Sequence, residues 1–333
     1  MRFIGIPVLA ASVVLGLSAR FAPADVLGPA DGYDALIFQN MTSGSDSEGA
    51  LAIGGTFNLN GYSVASHLGT TGTHLVVGGN LNMTGGSING DTYVGGTATI
   101  NNAGPAGNLY TDNYAGNNGP NKTVYYTGTY SGPSWINHTQ ISSFTLPVDF
   151  ATAQTQLTQT SSALAGLVNT GTLINNYNSL IFSGTNSGLN IFSVDASLLA
   201  GCYGVTVSIP SGAYALINIT GSTSVTLPNV GFTFDANNVL WNLSGVNSLT
   251  MTSFSGSVLA PGADVSTSYG QFDGTLVAKS FTGNTELHNY SFNHDIPTSS
   301  PGISTVPLPA SAYAGLALLA GLGIYRRVRS AAN

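Results

Sequence analysis

The sequence predicts an all-β fold: a right-handed parallel β-helix, or β-solenoid, with one long α-helix packed alongside. Three observations predict it. Short runs of Val, Ile, Leu, Thr and aromatic residues are punctuated throughout by Gly, Asn and Pro, the punctuation of strands and turns. Glycine pairs recur inside similar segments at intervals that suit successive coils. A single segment carries apolar residues at helical spacing.

In chain order, residues 1–24 come first. Arg2 precedes the apolar run Ile4 to Leu17, and Ala22-Pro23-Ala24 gives a small-x-small cleavage pattern, so these residues read as a secretory signal peptide recognised at Ala22 and Ala24, with the mature chain beginning near Asp25. The expected β-helical domain then occupies 25–298. Three of its segments share one pattern, Ala50 to Leu59, His74 to Met83 and Asp91 to Ile100. Each is a short β run, a Gly-Gly break and a second alternating run, with the glycine pairs 24 and then 17 residues apart. Glycine permits the tight corner that a coil needs. A meander of hairpins is the competing geometry.

The helix is expected over about 149–169. Phe150, Ala153, Leu157, Leu164, Leu167 and Val168 follow its period, Asp149 is placed to cap the N-terminus and Gly171 to end it. Its apolar stripe requires a partner surface, for which the flank of the β-structure is the simplest candidate. Further strands are expected at Leu189 to Val194, Val205 to Ile209, Ala213 to Ile219, Ser224 to Leu227, Val239 to Leu243 and Ser248 to Met251. Near the end of the body, Gly256 to Ala260 is echoed 18 residues later by Gly274 to Ala278, again as successive coils.

Residues 299–333 read as a linker and membrane tail. Val306-Pro307-Leu308-Pro309-Ala310 is followed by an apolar stretch through Tyr325 and then by Arg326, Arg327 and Arg329. The stretch is near the lower limit of ~17 residues for spanning a bilayer, and the arginines stand where positive charge holds a terminus in the cytoplasm. This order of motif, apolar span and arginine cluster resembles the PEP-CTERM sorting signals. The resemblance implies a Gram-negative host, transient attachment to its inner membrane, and removal of the tail by an exosortase-type protease.

Composition narrows the function. Outside the two terminal signals only Lys122 and Lys279 are basic, and these two lysines against 14 carboxylates leave a net charge of minus 12. A body with no basic patch is unsuited to nucleic acid or to anionic lipid. Charged residues are 6% of the chain, far below the ~25% of ordinary globular domains, and hydrophobic residues reach 43%, enough for a sizeable core. The lone Cys202 reads as a buried small hydrophobe.

From Leu27 to about Phe292 the chain resembles the choice-of-anchor A domain of bacterial extracellular proteins. The resemblance rests on Tyr33 to Phe38, Ser45 to Gly49, Ala52 to Gly55, Tyr214 to Gly221, Leu240-Trp241-Asn242, Gly256 to Ala263, Gly274 to Ala278 and Glu286-Leu287-His288. The chain departs from that pattern at Ser47 and Ala50. The resemblance implies an adhesive module carried on a separate anchor, and the overall plan is also similar to ice-binding proteins.

The chemistry sought is mostly missing. No Ser-His-Asp motif, phosphate-binding glycine loop or CxxC occurs, and the two lysines, 157 positions apart, are too few for a polyuronate lyase. Asp264 and Asp273 are the pair to examine for hydrolysis. No cofactor and no metal are expected; the candidate ligands, were there a metal, are Asp46, Glu48, Glu286 and His288, with His294 and Asp295 nearby in sequence. The expected function is therefore that of a non-enzymatic structural or adhesive protein, exported to the cell surface or matrix, with extracellular polysaccharide or neighbouring cells as partners. Ice or glycan binding is the alternative, for which Thr97/Thr99 and Thr223/Thr226 supply fragments of an outward threonine row. A glycan hydrolase ranks below both.

Overall fold

The computed structural model describes residues 26–227 and 229–297. The signal-peptide residues Ala22 and Ala24, the motif Val306 to Ala310 and the arginines Arg326, Arg327 and Arg329 lie outside the described residues. Among the described residues, no helix is long and apolar enough to cross a membrane.

The alternation of apolar and polar residues produces strands of the expected kind. The N-terminal part forms β1 (Tyr33–Ile37), β2 (Met41–Ser43), β3 (Ala50–Ile53), β4 (Phe57–Asn60), β5 (Thr73–Val77), β6 (Leu81–Thr84) and the two-residue β7 (Ser87–Ile88). It continues through β8 (Asp91–Asn101), β9 (Gly104–Pro105), β10 (Leu109–Gly116), β11 (Val124–Tyr126), β12 (Tyr130–Ser131) and β13 (His138–Gln140) to the helix α1 (Phe150–Ala165). Beyond the helix lie β14 (Thr172–Asn176), β15 (Ser179–Ser183), β16 (Leu189–Asp195), the short helix α2 (Ala196–Ala200), β17 (Gly204–Ser208), β18 (Tyr214–Thr220), β19 (Ser224–Thr226) and β20 (Gly231–Thr233). The last strands are β21 (Val239–Asn242), β22 (Ser248–Met251), β23 (Phe254–Ser255), β24 (Ser257–Thr267), β25 (Gln271–Asp273), β26 (Leu276–Gly283) and β27 (Glu286–His288).

How these strands pair corrects the expected architecture. Eight parallel strands, in the order β26, β1, β3, β5, β8, β6, β4 and β2, pair in a closed ring, because β2 returns to β26. The fold is thus a closed eight-strand parallel barrel with outer strands, not a right-handed β-helix. Closure comes from the two long members. In β26, Leu276–Ala278 pairs with β1 and Phe281–Gly283 with β2; in β8, Thr92–Val94 pairs with β5 and Ala98–Asn101 with β6. Outer strands continue on both sides, β10 from β8, and β24 from β26. The repeated segments do pair in chain order, β3 with β5 and β5 with β8, β4 with β6 and β6 with β8, and β24 with β26. The departure is the closure, where the first strand lies against the end of the body with Ala35 opposite Leu276.

The ring is filled by one face of each strand, including Ile37, Met41, Leu51, Phe57, Leu81 and Phe281, all essentially inaccessible. Where the backbones cross the corner they approach too closely for a side chain. A Cβ on Gly78 would stand 2.4 Å from the Gly54 carbonyl oxygen, which explains the repeated glycine pairs. The opposite faces of the central strands present Leu36, Ala52, Val76, Leu216, Leu240 and Val277, and α1 covers them with Ala153, Leu157 and Leu164.

The helix forms where the sequence places it. Asp149 caps it by accepting from the Thr152 amide at 3.1 Å, and these hydrogen bonds hold the Asp149 carboxyl below the usual carboxylate range. Its end is earlier than expected, at Gly166 instead of Gly171, so Leu167 still packs on the core while Val168 is exposed. A buried polar cluster joins the helix to the sheet. Asn242 accepts from Ser161 Oγ at 2.6 Å and donates to the Ser161 carbonyl and to Asn218 Oδ1, while Asn218 donates to the Leu164 carbonyl.

Candidate functional sites: a polar file and an acidic seam

Two features stand out, a regular outer surface and a cluster of titratable groups. The surface arises because strands paired in register point every second side chain outward. Thr226, Thr250, Ser266, Thr282, Thr42, Asn58, Asn82 and Thr99 follow one another across neighbouring strands in that spatial order. Seven steps of ~4.8 Å make a file of about 34 Å without a charge or an aromatic ring. Their side chains are linked along it: Asn82 Nδ2 donates to Asn58 Oδ1 at 2.8 Å, and Thr250 and Ser266 hydroxyls lie 3.2 Å apart. Of the threonines singled out in the sequence, Thr99 and Thr226 belong to this file. Thr97 lies in an adjacent row beside Asn113, and Thr223 in a turn. The sequence hid the file because half of its members follow the ring junction between Thr282 and Thr42.

The second feature is a seam where the two ends of the body meet. Strand β27 pairs with β25, setting His288 opposite Asp273 and Glu286 opposite Gln271. Leu287 points into the core, so Glu286 and His288 share the outward face. The loop before β3 runs beside β27, with a bridge between Ser47 and Leu287 and the Glu48 amide donating to the Leu287 carbonyl at 2.8 Å. Ligand-type atoms of Glu48, Glu286 and His288 consequently fall within 4.8 Å of one another. His288 Nδ1 is 2.8 Å from Asp273 Oδ1, while its Nε2 is 3.7 Å from Glu286 Oε2. Glu48 is itself oriented by His67 Nδ1 at 3.1 Å and by the Asn289 amide.

Of the other sequence candidates, Asp273 belongs to the seam through His288, and Asp46 touches it only through its backbone carbonyl, which accepts from the Leu287 amide at 3.1 Å. Asp46 uses its carboxylate to accept from the Ser63 amide at 2.5 Å, a turn-fixing role. His294 stacks on Tyr214 and faces Asn238 Oδ1 at 2.8 Å, and burial holds its imidazole below the ordinary value. Asp295 contributes its backbone carbonyl to Tyr214. Asp264 is engaged by Lys279 and Ser280 on the outer sheet, whereas Asp273 belongs to the three-stranded sheet β23-β25-β27, so each carboxylate has its own partners. Asp273 also borders a cleft of about 470 Å³ lined by Phe232, Phe234, Asp235, Gln271 and Tyr290. Cys202 is buried and unpaired, and burial pushes its thiol up.

Sequence reasoning missed Asp34. This carboxylate is 3% exposed beneath the seam, and accepts from the Gly49 amide at 2.5 Å and from the Ser47 hydroxyl at 3.1 Å. Ser47, a departure from the resembled pattern, is thus a buried partner of an acid.

A family model described as "Putative Ice-binding-like adhesive domain" matches residues 26–289. The chain belongs to this family. The match covers nearly all the described residues and includes both the polar file and the seam, so the adhesive domain is the whole barrel and not an appendage to it. No curated protein and no solved structure matches the chain.

Proposed function

We propose that this adhesive-domain protein is exported to the cell surface or extracellular matrix and holds polysaccharide or neighbouring cells through the polar file. The observation that carries the reading is the file itself: eight uncharged hydrogen-bonding side chains in register on a rigid sheet. Each contact with a hydroxyl-rich polymer is weak, because water competes for it, and many displayed copies add their contacts into avidity. The net charge of minus 12 supports partners other than nucleic acid. The reading is non-enzymatic.

Export and sorting rest on the sequence at the two ends. The choice-of-anchor A resemblance fits an adhesive body whose attachment is supplied separately. In this reading the 1–24 signal starts export of a Gram-negative protein, the tail holds it at the inner membrane, and an exosortase-type protease acts at Val306 to Ala310. Ice binding is a second reading, favoured by the ~4.8 Å repeat of the file, in which six hydroxyl side chains are interrupted by the amides of Asn58 and Asn82.

Beads densely coated with the mature protein should retain exopolysaccharide or cells well above bare beads, while soluble monomer binds the same material weakly. Thr42→Glu with Asn82→Glu should cut retention severalfold with little change in stability, since both sites are exposed. Coated beads that retain no more than bare ones would overturn the adhesive reading, and thermal hysteresis of the monomer would favour the second.

A further inference from the structure

We propose that Glu48, Glu286 and His288 form a divalent-cation site of the zinc class, which clamps the loop before β3 to β27. The inference is independent of the adhesive reading. Two carboxylates and one imidazole are a mixed oxygen and nitrogen set that suits zinc, whereas calcium takes six to eight oxygen ligands. Spacing agrees. A tetrahedral zinc ion with bonds of ~2.0–2.1 Å separates its ligand atoms by roughly 3.3 Å, and Glu286 Oε2 and His288 Nε2 already stand 3.7 Å apart. All three ligand atoms are within 4.8 Å of one another, so small side-chain rotations close the site.

Beyond the three candidate ligands, the imidazole is set up for coordination from behind. Asp273 Oδ1 engages His288 Nδ1 at 2.8 Å, and a carboxylate accepts from Nδ1–H, so Nε2, 3.7 Å from Glu286 Oε2, is the ring nitrogen available to a cation. That carboxylate–histidine arrangement fixes the tautomer and ring orientation of metal-bound histidines. Asp273 is a positioning residue here. The site is also built from opposite ends of the body, with Glu48 on the loop that follows β2 and the other two on β27. A cation bound there is bound only by the folded chain and closes the seam, and three protein ligands leave a coordination position for water or for an oxygen of a bound glycan.

The test uses the mature full-length body stripped with EDTA. Isothermal titration should detect one Zn²⁺ per chain, and the melting temperature should rise by several degrees with Zn²⁺. Co²⁺ should give the intense visible absorption of a tetrahedral ion. Glu286→Gln and His288→Ala should weaken binding at least tenfold while keeping native circular dichroism, and Asp273→Asn should weaken it about tenfold by releasing the imidazole. Asp264→Asn, on the other sheet, should leave binding unchanged. Binding unaffected by Glu286→Gln and His288→Ala, no melting shift with Zn²⁺, or a shift given by Ca²⁺ alone would overturn the assignment.

Discussion

Asp34 shows how a single side chain can work against the fold at neutral pH. Desolvation raises its carboxyl and outweighs the hydrogen bonds from Gly49 and Ser47, and the neighbouring Glu48 adds to the rise, so the group is pushed up to about 6 from 3.8. The folded state therefore holds this proton more tightly than the unfolded chain does. The stabilisation is fully present below about pH 4 and is lost as pH rises through 6. Asn at this position keeps an acceptor for the Gly49 amide without the charge. In EDTA-treated protein, Asp34→Asn should gain on the order of 2–3 kcal/mol relative to the parent between pH 4 and pH 8. Paired denaturant titrations measure this, and a difference that does not change with pH would sink it. Asp149, Asp195 and Asp264, held low by hydrogen bonds, push the overall pH dependence the other way, so the informative quantity is the difference between the two proteins.

The helix is the element whose role follows most directly from its sequence. Burying Leu157 and Leu164 contributes ~1.5 to 3 kcal/mol each, and the Ser161–Asn242–Asn218 cluster adds a second, polar attachment. Asn242 is fully buried with both amide hydrogens donated and its oxygen accepting, so no polar group there is left unmet. Leu157→Asp should cost more than ~2 kcal/mol, because it forces a charge against the apolar wall of Ala52, Leu240 and Val277. An unchanged denaturant midpoint would show that the helix is peripheral. Periodicity revealed the apolar stripe, with Ala153, Leu157 and Leu164 on it. It did not reveal Ser161, which lies on the same stripe, because a serine there reads as polar until Asn242 is seen opposite. Val168 shows the reverse error: it continues the period past Gly166, where the helix has already ended.

At the scale of the molecule, ring closure ties the beginning of the body to its end. The β1–β26 and β2–β26 pairings make β1 an interior member of the sheet although it comes first in the chain. Both ends are therefore needed for the polar file and for the seam, and a truncation at either side should damage both. The tail beyond the body carries a separate expectation. If it is a sorting signal, the extracellular protein should lack residues beyond about Val306, which intact mass measures directly. A mass that still includes Arg326 to Asn333 would remove processing and leave a plain membrane anchor.

The sequence by itself determined many local features: strands at the repeats and in the second half of the body, the long helix α1, and how little positive charge the body carries. These follow from alternation, period and composition, which act between neighbouring residues and need no partner. Glu286 and His288 were legible as a pair for the same reason, since a strand puts i and i+2 on one side. The sequence did not mark the short helix α2 or the strands β10 to β15, and the expected break at Gly95-Gly96 lies inside the continuous strand β8. Only the tertiary structure decided how the ring closes. Spacing along the chain found the neighbours among the repeats, β3 with β5 and β24 with β26, but the pairing of Ala35 with Leu276 and of Thr42 with Thr282 depends on a distant strand presenting matching free backbone groups. The closed barrel, the unbroken polar file, the burial of Asp34 and the meeting of Glu48 with β27 all follow from those contacts. A strand's own sequence fixes which of its faces is buried, but backbone hydrogen bonding is nearly indifferent to side-chain identity, so the choice of neighbour at the closure is made by the packing of the whole ring.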